Sequence, residues 1–373
     1  MRGKPYAFAV AVAVATGAAT VACALILDKP LRDPDGVAGP SYIRLPVIVG
    51  VFFLIDLMPR AIRRSSSTRD LWVATRSVVH ERWPWHRVRL ALTGMGAFYI
   101  TYVSYRNLKS YLPFARDDLL DEWLSRADSI LFLGADPAVI LHFLFGTGVA
   151  AHFLSFVYAS YLVFVPITLA AALVWNRNIS LGFWYVTALC LNWTLGALSY
   201  YVVPALGPVY VEEANFRALP ETGVSALQDA LWNSRITVMF APWDTGSVHG
   251  VAAFASLHVS VVFTAAYFAY RVGLPQAVRI GLWTYLGLTV VATVYFGWHY
   301  VVDDIFGAAI GWLTVVLGAI ATGNDWRHGP PASREPEQQT SDAGVPPQGA
   351  ALPSQSRLAA DDLILPADHS EHA

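Results

Sequence analysis

Few side chains in this chain could do chemistry in an apolar setting, and most of them lie in two short strings. Gly250-Val-Ala-Ala-Phe-Ala-Ser-Leu-His258 sets a hydroxyl and an imidazole behind a run of small residues. Thr293-Val-Tyr-Phe-Gly-Trp-His299-Tyr-Val-Val-Asp303 sets an imidazole four residues before a carboxylate, with Asp304 next to it. Positions i and i+4 share one helical face. Asp303 can therefore fix the tautomer of His299 and leave the other ring nitrogen as a base or nucleophile. Asp304 points about 100° away, toward a neighbouring helix. An H-x3-D pair alone serves equally well as a buried tie between two helices. A second histidine changes the reading. One imidazole can attack phosphorus while the other protonates the departing oxygen. Backbone N–H groups at a helix start near Ser256 can receive a phosphate oxygen. The combination points to phosphoryl transfer.

The elements that position these residues follow from composition. Of 373 residues, 55% are hydrophobic and only 14% are charged, with a mean hydropathy of +0.45. A soluble globular chain carries roughly 25% charged residues. An all-α integral membrane protein is expected, and its thirteen Trp and seventeen Tyr suit aromatic anchoring at the lipid interface. A net charge of −2 excludes an electrostatic nucleic-acid binder. Cys23 and Cys190 both sit in apolar runs, which leaves no disulfide framework or cysteine metal site. Apolar stretches long enough to cross a ~30 Å core fall at 6–28, 41–59, 88–105, 150–174, 180–203, 251–270, 279–297 and 298–321, so about eight transmembrane helices are predicted. The first stretch, preceded by Arg2 and Lys4, lacks a clean small-residue cleavage site and is read as a span.

Arg60, Arg63, Arg64, Arg69, Arg76, Arg82 and Arg87 crowd the segment between the second and third spans, which makes it cytoplasmic. Alternation then places Arg177, Arg271, Arg279 and both termini inside, and the segments 29–40, 106–149 and 204–250 outside. His258 and His299 reach similar depth near the outer face. Within 106–149, Leu119, Leu120, Trp123, Leu124 and Ala127 recur at helical spacing among acidic residues, the pattern of an interfacial amphipathic helix. Pro137 then opens a run, Ala138 to Phe145, too short to span. Residues 324–373 are rich in Pro, Gln, Ser, Asp and Glu and are expected to form a disordered cytoplasmic tail. Three parts are expected: 1–87, two helices with a basic loop; 88–323, a catalytic membrane domain; and the tail.

Phe254-Ala-Ser-Leu-His258 resembles the second signature of the type 2 phosphatidic acid phosphatase (PAP2) superfamily, and Thr293 to Asp303 resembles its third. T-x-Y-x-x-x-H-Y-x-V-D together with S-L-H is similar to the branch that contains fungal inositol phosphorylceramide synthase. Pro204-Ala-Leu-Gly-Pro208-Val-Tyr210 is similar to that branch's proline-rich first block. The resemblance covers roughly 90–321, a six-helix core with two additional N-terminal helices. It implies that His299 is a nucleophile forming a phosphohistidine, that Asp303 orients it and stabilises its charge, that His258 is the general acid and then base, and that Ser256 helps hold the phosphate. It implies no metal and no cofactor.

Three positions depart from the superfamily pattern. Ala255 stands where proline is usual, Thr293 where the phosphatases carry arginine, and the K-x6-R-P block is missing. Lys109-x6-Arg116 has the right count but follows the wrong helix and lacks the proline. A low-dielectric phosphate site still needs positive charge. Arg106, Lys109 and Arg235 are the candidates, with snorkelling as the plain alternative for the first two. His249 and Asp244 read as ordinary loop residues, His142 and His152 as structural, and Asp56 as an ion-pair partner of Arg60. The expectation is a lipid phosphotransferase at the extracytoplasmic face of a bacterial plasma membrane. Its donor is a phospholipid or polyprenyl phosphate, and its acceptor inositol, a lipid alcohol or a glycan. A lipid phosphate phosphatase shares every residue. A transporter or non-catalytic scaffold remains as a different class, against which no inverted repeat or interrupted mid-membrane helix appears.

Overall fold

Backbone polar groups in a bilayer must pair within the protein, which favours helices wherever apolar runs are long. The computed structural model describes residues 5–326 apart from 34, 37, 38, 66, 68 and 177. The expected tail beyond 326, and Arg177, lie outside the described residues. Among the described residues thirteen α-helices run in chain order: α1 Ala7–Ile26, α2 Ser41–Arg64, α3 Leu71–Arg82, α4 Trp85–Ala115, α5 Asp121–Leu131, α6 Pro137–Phe145, α7 Val149–Val174, α8 Ile179–Val202, α9 Pro208–Val211, α10 Gly223–Phe240, α11 Leu257–Arg271, α12 Gln276–Tyr295 and α13 Val301–Thr322. The only strand pairing among the described residues is a two-residue one, Asp35–Gly36 with Gly39–Pro40. Apart from that pairing, the regular structure of the described residues is all helical, as composition predicts.

Among the described residues six helices are long and apolar enough to cross a membrane: α1, α2, α7, α8, α12 and α13. The two other expected spans take different forms. The third is part of α4, whose 31 residues extend about 46 Å at 1.5 Å per residue, past the predicted end at 105. The sixth, expected over 251–270, is helical only from Leu257 and has 15 residues. Residues 251–256 are buried but not helical, because their backbone groups find partners elsewhere. Ala253 N–H donates to the Ala205 carbonyl at 2.9 Å, and Ser256 N–H to the Asp303 carbonyl at 3.0 Å. Ala255 N–H donates to Ser199 Oγ at 2.9 Å. Non-helical backbone at membrane depth is tolerated when it is covered by protein in this way.

α8 is the centre of the bundle, packed by α4, α11, α13, α1 and α7. Lipid supplies no hydrophobic drive between helices, so close backbone approach and interhelical hydrogen bonds must hold them together. Asn192 on α8 donates to Thr264 on α11 at 2.9 Å and to Thr314 on α13 at 3.1 Å, and accepts from Ser260. Gly307 and Gly311 let α13 lie directly on α11: a Cβ at Gly307 would overlap the Ser256 carbonyl oxygen. α1 joins the same core through a Thr16–Thr194 hydroxyl pair at 2.9 Å. At the other end of the bundle, Asp56 binds Arg60 at 2.6 Å, as expected, and also Arg82 at 3.0 Å.

The segment 204–250, read from sequence as a loop, contains α9, a short 3-10 turn and α10. Thr222 and Ser225 form a capping box at the start of α10. The expected amphipathic helix is present as α5, with acidic residues on its protein-facing side. Asp121, Leu124 and Asp128 form its buried side, while Trp123 is exposed. The two aspartates turn inward because each accepts backbone N–H groups of the site, as described next.

Candidate active site

Two chain reversals bring the two histidine strings to one end of the bundle. α11 begins there, α12 ends there and α13 begins there. Ser256 caps α11, its Oγ accepting from Val259 N–H at 3.4 Å, so His258 falls in the first helical turn rather than two turns down. Sequence periodicity carried the helix back to 251, but hydrogen bonds to Ala205, Ser199 and Asp303 hold 251–256 out of the helix. His299 lies in the five-residue connection between α12 and α13, not inside the eighth span. Gly297 turns that connection at φ +66°, a backbone conformation that favours glycine.

The connection is held from several sides. Gln228 on α10 donates to the Phe296 carbonyl at 2.8 Å, and Val209 N–H to the Gly297 carbonyl at 2.9 Å. Asp128 accepts from Val301 N–H at 2.7 Å and Val302 N–H at 3.1 Å, capping α13 with negative charge at its positive end. Burial pushes the Asp128 carboxyl above its usual range, and these two N–H bonds pull against that shift. Asp121 accepts from Leu206 N–H and Gly207 N–H at 2.9 Å, and from the Tyr300 hydroxyl at 3.1 Å. It therefore joins the proline-rich block to the third string. Gly207 makes that junction possible: a Cβ there would lie 2.5 Å from the Trp298 carbonyl.

Within this frame the His258 and His299 rings are 6.0 Å apart, centroid to centroid. His258 rests on Tyr158 at 4.5 Å and Tyr161 at 4.1 Å, and Tyr158 stacks in turn on Trp298 at 5.3 Å. His299 Nδ1 lies 3.5 Å from Asp303 Oδ2, close enough to couple charge but too long for a hydrogen bond. That same oxygen accepts from Tyr300 N–H at 3.0 Å. Asp304 meets the neighbouring helix, as its direction predicts, accepting from Thr293 Oγ1 at 2.9 Å; it is also beside Ser256 and the His299 ring, as is the Ala253 carbonyl beside that ring. His299 Nδ1, Asp303 Oδ1, Asp304 Oδ1 and Trp298 Nε1 are buried without hydrogen-bond partners. Most buried polar groups in folded proteins are hydrogen-bonded, so this cluster of unpartnered ones stands out. A cavity of about 180 Å3 reaches His299, lined also by Asp128, Asp136, Pro208, Glu212 and Val294.

The cationic candidates sort themselves by position. Lys109 stands 4.8 Å over the Tyr200 ring, within electrostatic reach of His258, His299 and His249. Arg106 is one turn earlier on α4, its Nε buried without a partner. Arg235 on α10 puts Nη1 at 2.9 Å from His249 Nε2. Arg116 is occupied elsewhere, paired with Asp118 at 2.6 Å. His249, read as an ordinary loop residue, is fully buried. Burial, then Arg235, Lys109 and Arg106, hold its imidazole well below the usual histidine range. His142 is structural, bonded to the Tyr295 carbonyl at 2.8 Å, and His152 is exposed. Sequence reasoning missed Asp121, Asp128 and the depth of His249. The only signal for the first two was their seven-residue spacing on one face of an amphipathic helix.

The arrangement can hold an anion among Lys109, Arg106 and Arg235, present one imidazole as nucleophile, and move a proton through the other. A protein-family model described as the PAP2 superfamily matches residues 122–317, just over half of the chain. No curated protein and no solved structure matches it.

Proposed function

The chain belongs to the PAP2 superfamily, whose membership points to phosphatase or phosphotransferase activity on lipid-like phosphates, and from that premise we propose a lipid phosphotransferase acting through a phosphohistidine. The observation that carries the reading is the 6.0 Å spacing of His258 and His299 at a buried end of the bundle. His299 attacks phosphorus through the nitrogen turned away from Asp303. An N–P bond forms, the P–O bond to the leaving group breaks, and His258 gives that oxygen a proton. His258 then takes a proton from an acceptor alcohol, whose oxygen displaces His299 and returns the enzyme to its starting state. Asp303, 3.5 Å from Nδ1, stabilises the positive charge that His299 carries in the intermediate. Ser256, Lys109, Arg106 and Arg235 hold the phosphoryl oxygens. These side chains supply every step without a metal.

The preference for transfer over hydrolysis rests on the resemblance of the two histidine strings to the inositol phosphorylceramide synthase branch, and the cavity of about 180 Å3 beside His299 is compatible with an alcohol acceptor. The donor is a phospholipid or polyprenyl phosphate, and inositol phosphate or a related head group is the unit passed to a lipid alcohol or glycan. The basic segment 60–87 supports a cytoplasmic placement of that end of the bundle, and so an extracytoplasmic site.

The test uses purified protein in nanodiscs without added metal, given phosphatidate, polyprenyl pyrophosphate and phosphatidylinositol in turn, with and without an alcohol acceptor. A new phosphodiester that needs the acceptor, and is lost in His299→Ala and His258→Ala, supports transfer. Phosphate release lost in both variants makes the protein a phosphatase. Activity that survives His299→Ala overturns the mechanism.

A further inference from the structure

His249 sits in a hydrogen-bonding arrangement that lacks an acceptor. Its backbone N–H is spent on Ser110 Oγ at 3.1 Å, which leaves the ring nitrogens to find partners of their own. Nδ1 lies 2.9 Å from Val251 N–H, and Nε2 lies 2.9 Å from Arg235 Nη1. Both neighbours are donors, and a guanidinium has nothing but donors. A neutral imidazole accepts at one nitrogen only. If Nδ1 accepts from Val251, the Nε2 proton points at the arginine; if Nε2 accepts from Arg235, the Nδ1 proton points at Val251. Protonating the ring makes both contacts donor against donor. The ring is fully buried, where a donor left without an acceptor is costly. Among the described residues Arg235 forms no ion pair with a carboxylate. Lys109 and Arg106 add positive charge around the same ring.

We propose that His249 and Arg235 together form an oxyanion clamp, in which a phosphoryl oxygen inserts between Nε2–H and the guanidinium and accepts from both. The anion removes the conflict: Nδ1 keeps the Val251 bond, Nε2 keeps its proton, and Arg235 gains a charge-assisted acceptor. His249 is thereby a phosphate-binding residue and not an ordinary loop residue. It supplies, from the segment between α10 and α11, donors that the missing K-x6-R-P block does not. The inference rests on the phosphoryl-transfer reading above and adds a ligand to that site.

Binding can be measured without turnover. Inorganic phosphate is titrated into the full chain in nanodiscs by calorimetry, with size-exclusion profile and tryptophan emission as checks on folding. His249→Phe keeps an aromatic ring but has no donor, and Arg235→Met keeps the stem without charge. Each is expected to weaken phosphate at least about 10-fold, the scale of one charge-assisted bond. His249→Gln keeps a donor at similar reach and should fall between wild type and His249→Phe. His299→Ala should still bind. Folded His249→Phe that binds phosphate like wild type overturns the clamp, as does wild type that binds no phosphate. Phosphate binding that depends on both residues, in protein that turns over no lipid phosphate, upholds the clamp and removes the proposed reaction instead.

Discussion

The close contact of α11 and α13 carries the most exposed test of the site's geometry. A methyl group at Gly311 would lie 2.6 Å from the Ser260 carbonyl oxygen and 3.1 Å from Phe263. Restoring that carbonyl contact to the 3.4 Å at which ordinary packing begins requires the helices to open by about 0.8 Å. The Ser260 carbonyl oxygen cannot step aside, because it is helix backbone. His258 sits on one helix and His299 leads into the other, so the opening acts directly on their 6.0 Å spacing. It also stretches the Ser256 N–H bond to the Asp303 carbonyl, now 3.0 Å. Overpacking of this kind costs about 1–3 kcal/mol, and a displacement near 1 Å in a reacting pair costs about 100-fold in rate. Gly311→Ala should therefore lower the unfolding midpoint in nanodiscs and reduce turnover of the lipid phosphate by about 10- to 100-fold. Gly281→Ala is the control, since a methyl there meets open space; it should stay active and gain up to about 1 kcal/mol of helix propensity. Gly311→Ala with wild-type midpoint and wild-type turnover would refute the reasoning, because it would show that helix separation does not set the distance between the histidines.

Asp128→Ala leaves Val301 and Val302 N–H without their acceptor, so stability should fall by about 1–2 kcal/mol and turnover with it, read by paired denaturation and activity assays. Asp56→Ala leaves Arg82 buried without its partner at the opposite end of the bundle. It should destabilise by about 3–5 kcal/mol while the Michaelis constant of the surviving folded protein stays unchanged. His249 has its folded proton affinity depressed by burial and by Arg235, so its contribution to stability is intact above about pH 6.5 and is lost as pH falls below that value, where the unfolded chain takes up the proton first. His249→Gln should remove one proton's worth of that slope, at most about 1.4 kcal/mol per pH unit, in denaturation curves taken from pH 7 to 5.

Composition alone determined the solvent. A chain with 55% hydrophobic residues and so few charges must satisfy its backbone internally, and helices are the local way to do so. The ends of α1, α7, α8 and α12 were legible to within a few residues because one apolar run makes one helix. His258, Ser256, His299 and Asp303 were legible because ionisable groups are rare in such runs and their spacing resembles a known pair of signatures. The pair of Asp56 and Arg60 was legible because four residues on a helix is contact distance. Tertiary structure alone decided what the non-periodic segments do. Residues 251–256 look like more of α11, yet Ser199, Ala205 and Asp303 take their hydrogen bonds and keep them out of the helix. Asp121 and Asp128 read as the wet face of an amphipathic helix, yet they turn inward to backbone N–H groups more than 80 residues away along the chain. His249 and Arg235 are 14 residues apart, a separation with no meaning on one helix, and only the return of the chain after α10 sets them face to face. The division has one physical cause: a periodic apolar run carries its partners with it, whereas a polar group without local partners is defined by whatever the rest of the fold brings beside it.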